Sequence, residues 1–118
     1  MPRYMLQLRA DPTNWSGLSP EAMEPIMARY MSWHHDLRAE GRTMIVEELS
    51  EANSVEVSLP DPDAPVAEQP YANTADSVSG FWLISAADRD DAIRVARDCP
   101  GLLHGGRIEI IEAVDHGV

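Results

Sequence analysis

Ser79-Gly80-Phe81-Trp82-Leu83-Ile84-Ser85, followed by Asp88 to Cys99 and then Arg107 to Val114, reads as strand, helix, strand, and it decides the fold. Phe81 to Ile84 is a short apolar run flanked by small residues, as expected of a buried strand. Asp88 or Asp90 is placed to cap the following helix. Ala92, Ile93, Val95 and Ala96 give that helix one small-residue face. Cys99-Pro100-Gly101 ends it. From Arg107, Ile108 and Ile110 alternate with Arg107, Glu109 and Ile111.

The same order occurs once more upstream. Arg3 to Arg9 alternates Tyr4, Leu6 and Leu8 against Met5, Gln7 and Arg9, a first strand with two distinct faces. Ser19-Pro20-Glu21 is a helix start, with Ser as N-cap and Pro in the first helical position. The helix is predicted from about Pro20 to Glu40. Met23, Ile26, Met27, Tyr30, Trp33, His34 and Leu37 form its inner stripe. Pro25 marks a late start or a bend, and Gly41 stands where a left-handed cap belongs. Arg42 to Leu49 is rich in β-formers. Ser54 to Leu59 alternates Val55, Val57 and Leu59 with polar residues, which predicts an antiparallel strand with one wet face. Four prolines between Pro60 and Pro70 exclude a helix or a central strand there.

The order β-α-β-β-loop-β-α-β predicts a split βαβ, ferredoxin-like α+β sandwich over residues 1–118, with one additional hairpin strand. Two helices cover one face of such a sheet. The other face would then carry apolar side chains into water, so a homodimer is expected, with sheets packed face to face around a cavity.

Composition narrows the function classes. The 118 residues carry nine cations, all Arg, against twenty acids, a net charge of −11. Such a surface is unsuited to phosphate backbones and to anionic lipid. With one Cys, no intrachain disulfide forms. The sequence shows neither an apolar run of membrane-spanning length nor a secretory h-region in its first ten residues. No nucleic-acid partner, no membrane and a cytoplasmic location are therefore expected.

The opening Arg3-Tyr-Met-Leu-Gln-Leu8, the helix ending Trp33-x-x-x-Leu37-x-x-x-Gly41, Glu48-Leu49, Gly80-Phe-Trp-Leu-Ile84, Cys99-Pro100 and Gly106-Arg-Ile-Glu109 share an order and spacing. Together they resemble the YCII-related family, in its DGPF branch. The resemblance implies a dimeric α/β barrel and a pocket sized for a small organic ligand. The biochemical role of the family is mostly unassigned, and a few members resemble small lyases or dehydrohalogenases. The branch signature Asp-Gly-Pro-Phe corresponds to Glu68-Gln69-Pro70-Tyr71 here, where the turn-forming Gly is lost. The resemblance implies a catalytic His–Asp dyad in other members, and by spacing from Gly41 and Pro100 its positions correspond to Tyr30 and Cys99 here. With ordinary pKa values near 10 and 8.5, these are poor proton carriers at neutrality.

His34, one turn after Tyr30, has the one side-chain type that ordinarily titrates near neutrality. It is the candidate general base, against the plainer reading of a half-covered helix-flank residue. Glu47 and Glu48 are consecutive in a strand, so only one faces inward. Glu48 matches the family's acidic position and is the candidate partner of His34. Tyr30, Tyr71, Trp82 and Cys99 are the candidate ligand-binding residues, whereas Trp33 reads as core. Trp15 either caps the cavity or anchors its own loop, and His104 reads as surface. His34 and His35 are adjacent on a helix and diverge by about 100°, too far to share one ion, so neither a metal nor another cofactor is expected. The functions in view are a lyase or isomerase working by acid–base chemistry and a non-catalytic ligand-binding or protein-interaction module.

Overall fold

A four-stranded antiparallel sheet forms from strands that are far apart in sequence. β1 (Arg3–Ala10) and β5 (Ser77–Ser85) pair at its centre, β2 (Met44–Glu48) lies outside β5, and β6 (Arg107–Glu112) lies outside β1. The computed structural model describes residues 1–11, 14, 17–42, 44–50, 53–57, 63, 67–68 and 76–117. The order β2-β5-β1-β6, with α1 (Pro20–Ala39) between β1 and β2 and α2 (Arg89–Arg97) between β5 and β6, is the ferredoxin-like arrangement.

Local chemistry sets the helix ends. Ser19 Oγ accepts from Ala22 N at 3.1 Å, and Asp88 Oδ1 accepts from Asp91 N at 2.8 Å. α1 stops in a Schellman motif: Gly41 N donates to Arg38 O at 2.9 Å and Arg42 N to Leu37 O at 3.3 Å. This needs the left-handed φ of +77° that Gly41 adopts. Pro25 lies inside α1 without ending it, because it removes a single N–H near the N-terminal end.

The core lies between the sheet and the helices. Tyr4, Leu6 and Leu8 of β1 and Trp82 and Ile84 of β5 meet Trp33 and Leu37 of α1 and Ala92, Val95 and Ala96 of α2. Leu6 and Ile84 are fully covered, which is worth roughly 1.5–3 kcal/mol for each such side chain. The small residues of α2 let that helix approach closely.

Several expectations are corrected. Met27 is exposed and does not belong to the inner stripe: the buried centre of α1 runs through Ile26, Trp33 and Leu37, and Met27 falls well round from it. The alternation from Ser54 yields only β3 (Val55–Glu56), which pairs with β4 (Ala67–Glu68) in a separate two-stranded sheet. Val55 and Val57 are exposed, because the pairing that would bury one face of this strand is absent from the main sheet. Leu59 lies outside the described residues. After α2 the chain forms a 3₁₀ turn, Pro100–His104. His104 is half-buried there rather than on the surface, and its carbonyl accepts from Asn14 Nδ2 at 3.2 Å.

Candidate functional site

Tyr30 and His34 sit one turn apart on a flank of α1 that packs on Trp82 of β5. Trp82 of β5 lies beneath both. Its indole N–H donates to His34 Nε2 at 2.8 Å. The Tyr30 ring lies parallel over Trp82, with centroids 6.1 Å apart and planes 7° apart, while Trp33 meets the same indole edge-on at 5.1 Å. Trp82 is buried, so it meets Tyr30, Trp33 and His34 and offers little surface to a ligand. Burial, reinforced by the Arg38 guanidinium, keeps the His34 pKa below its ordinary value.

The Tyr30 hydroxyl reaches the start of the 3₁₀ turn. It lies near the Cys99 thiol, and each of the two groups shifts the other's pKa. It also lies so close over Gly101 that a Cβ there would come within 2.7 Å of the oxygen and 2.9 Å of the Leu8 methyls. Burial pushes the Cys99 thiol up to about 11, although the Gly101 N–H and the Tyr30 hydroxyl pull it the other way. Burial likewise raises Tyr30, helped by Cys99, which is ionised in the alkaline range where Tyr30 titrates, and by the Glu48 charge. Both groups stay protonated at neutral pH. Cys99 is 2 % exposed and offers no open surface to a ligand.

Glu48 ends β2 on the same sheet face as Met44 and Val46, the face that turns toward α1. It pairs with Gly80, where a Cβ would meet Glu47 O at 3.0 Å, so glycine permits this close strand approach. One register shift lies alongside, between Leu8 and Arg9, a bulge of the kind found beside functional sites. The Glu48 carboxylate is exposed, and its charge is felt at Tyr30. The partner that the structure gives His34 is Trp82, not Glu48. Tyr30, His34, Trp82 and Cys99 are thus brought together with Glu48 at their margin. Tyr71 and Trp15 lie outside the described residues. Among the described residues no group of three His, Cys, Asp or Glu is disposed to hold a metal ion.

Two further features lie apart from this site. A cleft of about 320 Å³ opens between α1 and α2, on the other side of α1, with Trp33, Leu37 and Val95 below and Arg29, Glu40 and Arg94 at its rim. None of His34, Glu48, Tyr30 or Cys99 lines it. The sheet face away from the helices carries a row across all four strands, Ile45, Leu83, Met5 and Ile111. Ile45 is 50 % exposed and Ile111 41 %, so this row stands open to solvent in the single chain.

Sequence reading missed one residue pair. Arg42 is buried at the junction of α1, β5 and α2, and its guanidinium grips Asp91 through two hydrogen bonds of 2.8 Å each. It also donates to Ser85 O at 2.9 Å and Glu40 Oε2 at 2.7 Å. Its partners are up to 49 residues distant, and no local spacing signals them.

A ferredoxin-like sheet with a polar-aromatic cluster on one helix flank and an uncovered apolar face defines a class of small α+β proteins. Residues 3–114 match the YCII-related domain, and the chain belongs to that family. Comparison with curated proteins returns no match. No helix among the described residues is long and apolar enough to cross a membrane.

Proposed function

We propose that this YCII-related protein binds a small organic molecule at the α1 flank between Tyr30, His34 and Glu48, working as a homodimer whose open sheet faces meet. His34 and Glu48 are its acid–base groups, in a lyase or isomerase reaction. The observation that carries this reading is the cluster itself. An imidazole and a carboxylate, both reachable from solvent, flank a ring stack whose other ionisable groups are held protonated. Trp82 supports the imidazole from below. The row Ile45, Leu83, Met5 and Ile111 supports the dimer, because an apolar strip crossing a whole sheet gains by meeting its own copy.

A non-catalytic binding module is the second reading. It is favoured by Tyr30 and Cys99, which occupy the family's dyad positions and stay protonated near neutrality. Membership of the DGPF branch rests on the order and spacing of the motifs along the chain, against an altered signature at Glu68 to Tyr71, of which residues 69–71 lie outside the described residues.

Native mass spectrometry of the protein as purified, followed by denaturing analysis of what it carries, tests the proposal. The expected species is twice the 13.1 kDa chain with a discrete small molecule bound. A monomer at micromolar concentration would overturn the dimer reading. A bound molecule that is turned over by the wild type and not by His34→Ala would select the enzyme over the carrier.

A further inference from the structure

The hydrogen bond beneath His34 fixes which proton the imidazole carries. An indole N–H donates only, so the ring nitrogen that it meets must offer a lone pair. Trp82 Nε1 stands 2.8 Å from His34 Nε2. A proton on Nε2 would set two N–H groups against each other at that distance. His34 is therefore neutral, with its proton on Nδ1.

Trp82 has little freedom to yield. It is enclosed between the parallel Tyr30 ring and the edge-on Trp33, and its strand is held on both sides by β1 and β2. Nδ1 is the other ring nitrogen, joined to Nε2 through Cε1. Among the described residues it has no protein partner, and His34 is only half-buried on the α1 flank. Met27 and Met31, one turn before Tyr30 and His34 respectively, are exposed on that flank and give it an apolar border.

We infer that His34 presents Nδ1–H as a hydrogen-bond donor to a ligand oxygen, with Trp82 as the positioning residue that sets its tautomer, so that the ligand is a small molecule with an apolar body and a carbonyl group. This deepens the reading of the same site given above and rests on it. Of the two acid–base groups, His34 then donates and Glu48 is the one that accepts. Both ring nitrogens of His34 are accounted for: Nε2 is engaged by the protein, and Nδ1–H faces the ligand. A neutral imidazole polarises a carbonyl without a buried cation to desolvate.

The test reads the tautomer on the uncomplexed wild-type protein by long-range nitrogen–proton correlation NMR of the imidazole at neutral pH. The expected pattern is a pyridine-like Nε2 and a pyrrole-like Nδ1. An Nε2–H pattern or an imidazolium overturns the inference. Trp82→Phe, which removes the indole N–H, is expected to shift the tautomer ratio toward Nε2–H by roughly tenfold, the worth of one hydrogen bond. An unchanged ratio in a folded variant overturns the role of Trp82, and the wild-type spectrum decides the tautomer even where the variant does not fold. Cyclohexanone, an acceptor with an apolar body, is expected to move the Nδ1 resonance, whereas cyclohexylammonium, a donor, is not. A shift from the ammonium alone, or from neither probe, overturns the ligand class. Absence of turnover leaves the tautomer result intact and counts against the enzyme reading alone.

Discussion

Replacing Arg42 by Met tests a buried ion pair that ties three elements together. The Arg42 side chain is 8 % exposed and that of Asp91 19 %. Removing the guanidinium deletes two charge-assisted bonds to Asp91, one to Glu40 and one to the Ser85 carbonyl. Loss of one partner from a buried pair costs roughly 3–5 kcal/mol. Asp91 would still accept from Ala87 N at 2.9 Å and from Arg94 at 3.2 Å, and Met fills much of the vacated space, so the lower end applies. The expected loss is about 3 kcal/mol, or roughly 12 °C in Tm for a domain of this size.

The pair also carries a pH signature. Hydrogen bonds from Arg42, then the Ala87 N–H, hold the Asp91 carboxyl well below its ordinary range. A depressed folded pKa contributes stability that is fully present above the unfolded value of about 3.9 and is lost as pH falls toward the folded one. Below about pH 4 the gap between wild type and Arg42→Met should therefore narrow. Urea unfolding at fixed protein concentration, from pH 7 down to pH 3, measures both quantities. A variant within about 0.5 kcal/mol of wild type at pH 7, or one with the same separation at pH 3, would refute the reasoning. Asp91→Asn combined with Arg42→Met should cost less than the sum of the single changes, because the two share one interaction.

Gly101→Ala should destabilise by about 1–3 kcal/mol, since the new methyl lands 2.7 Å from the Tyr30 oxygen and 2.9 Å from the Leu8 methyls; thermal melts check it, and an unshifted Tm would contradict the close packing. Leu83→Glu, in the middle of the open sheet face, should convert a dimer to a folded monomer by light scattering with its circular dichroism retained, and persistence of the dimer would place the interface elsewhere. The Cys99 thiol, buried and pushed up to about 11, should react with a disulfide reagent at pH 8 at least roughly a hundredfold more slowly in the native protein than in urea; equal rates would show that the thiol is open.

Much of the candidate site was legible in the sequence because it is built from helix periodicity. The i, i+4 spacing of Tyr30 and His34 puts both on one flank whatever surrounds the helix, and strand alternation puts Glu48 on the same sheet face as Val46. The roles of these residues were not legible. Trp82 reads in sequence as a pocket lining, yet in the structure it is buried and donates to His34 across 48 residues. Cys99 reads as a ligand contact and is covered by its own neighbours.

The sequence by itself determined the order of the four main-sheet strands and the two helices, the caps at Ser19 and Asp88, the turn at Gly41 and the family to which the chain belongs. These follow from backbone propensities, side-chain periodicity and short-range hydrogen bonding, all of which act within a few residues. Only the tertiary structure decided the register that sets Trp82 opposite Val46 and Leu6, the hydrogen bond that assigns the His34 proton, and the burial of Arg42 with Asp91. It also confined the β3–β4 hairpin to a sheet of its own. Such contacts join residues tens of positions apart, and their energies depend on how the core closes around them, which no local pattern encodes.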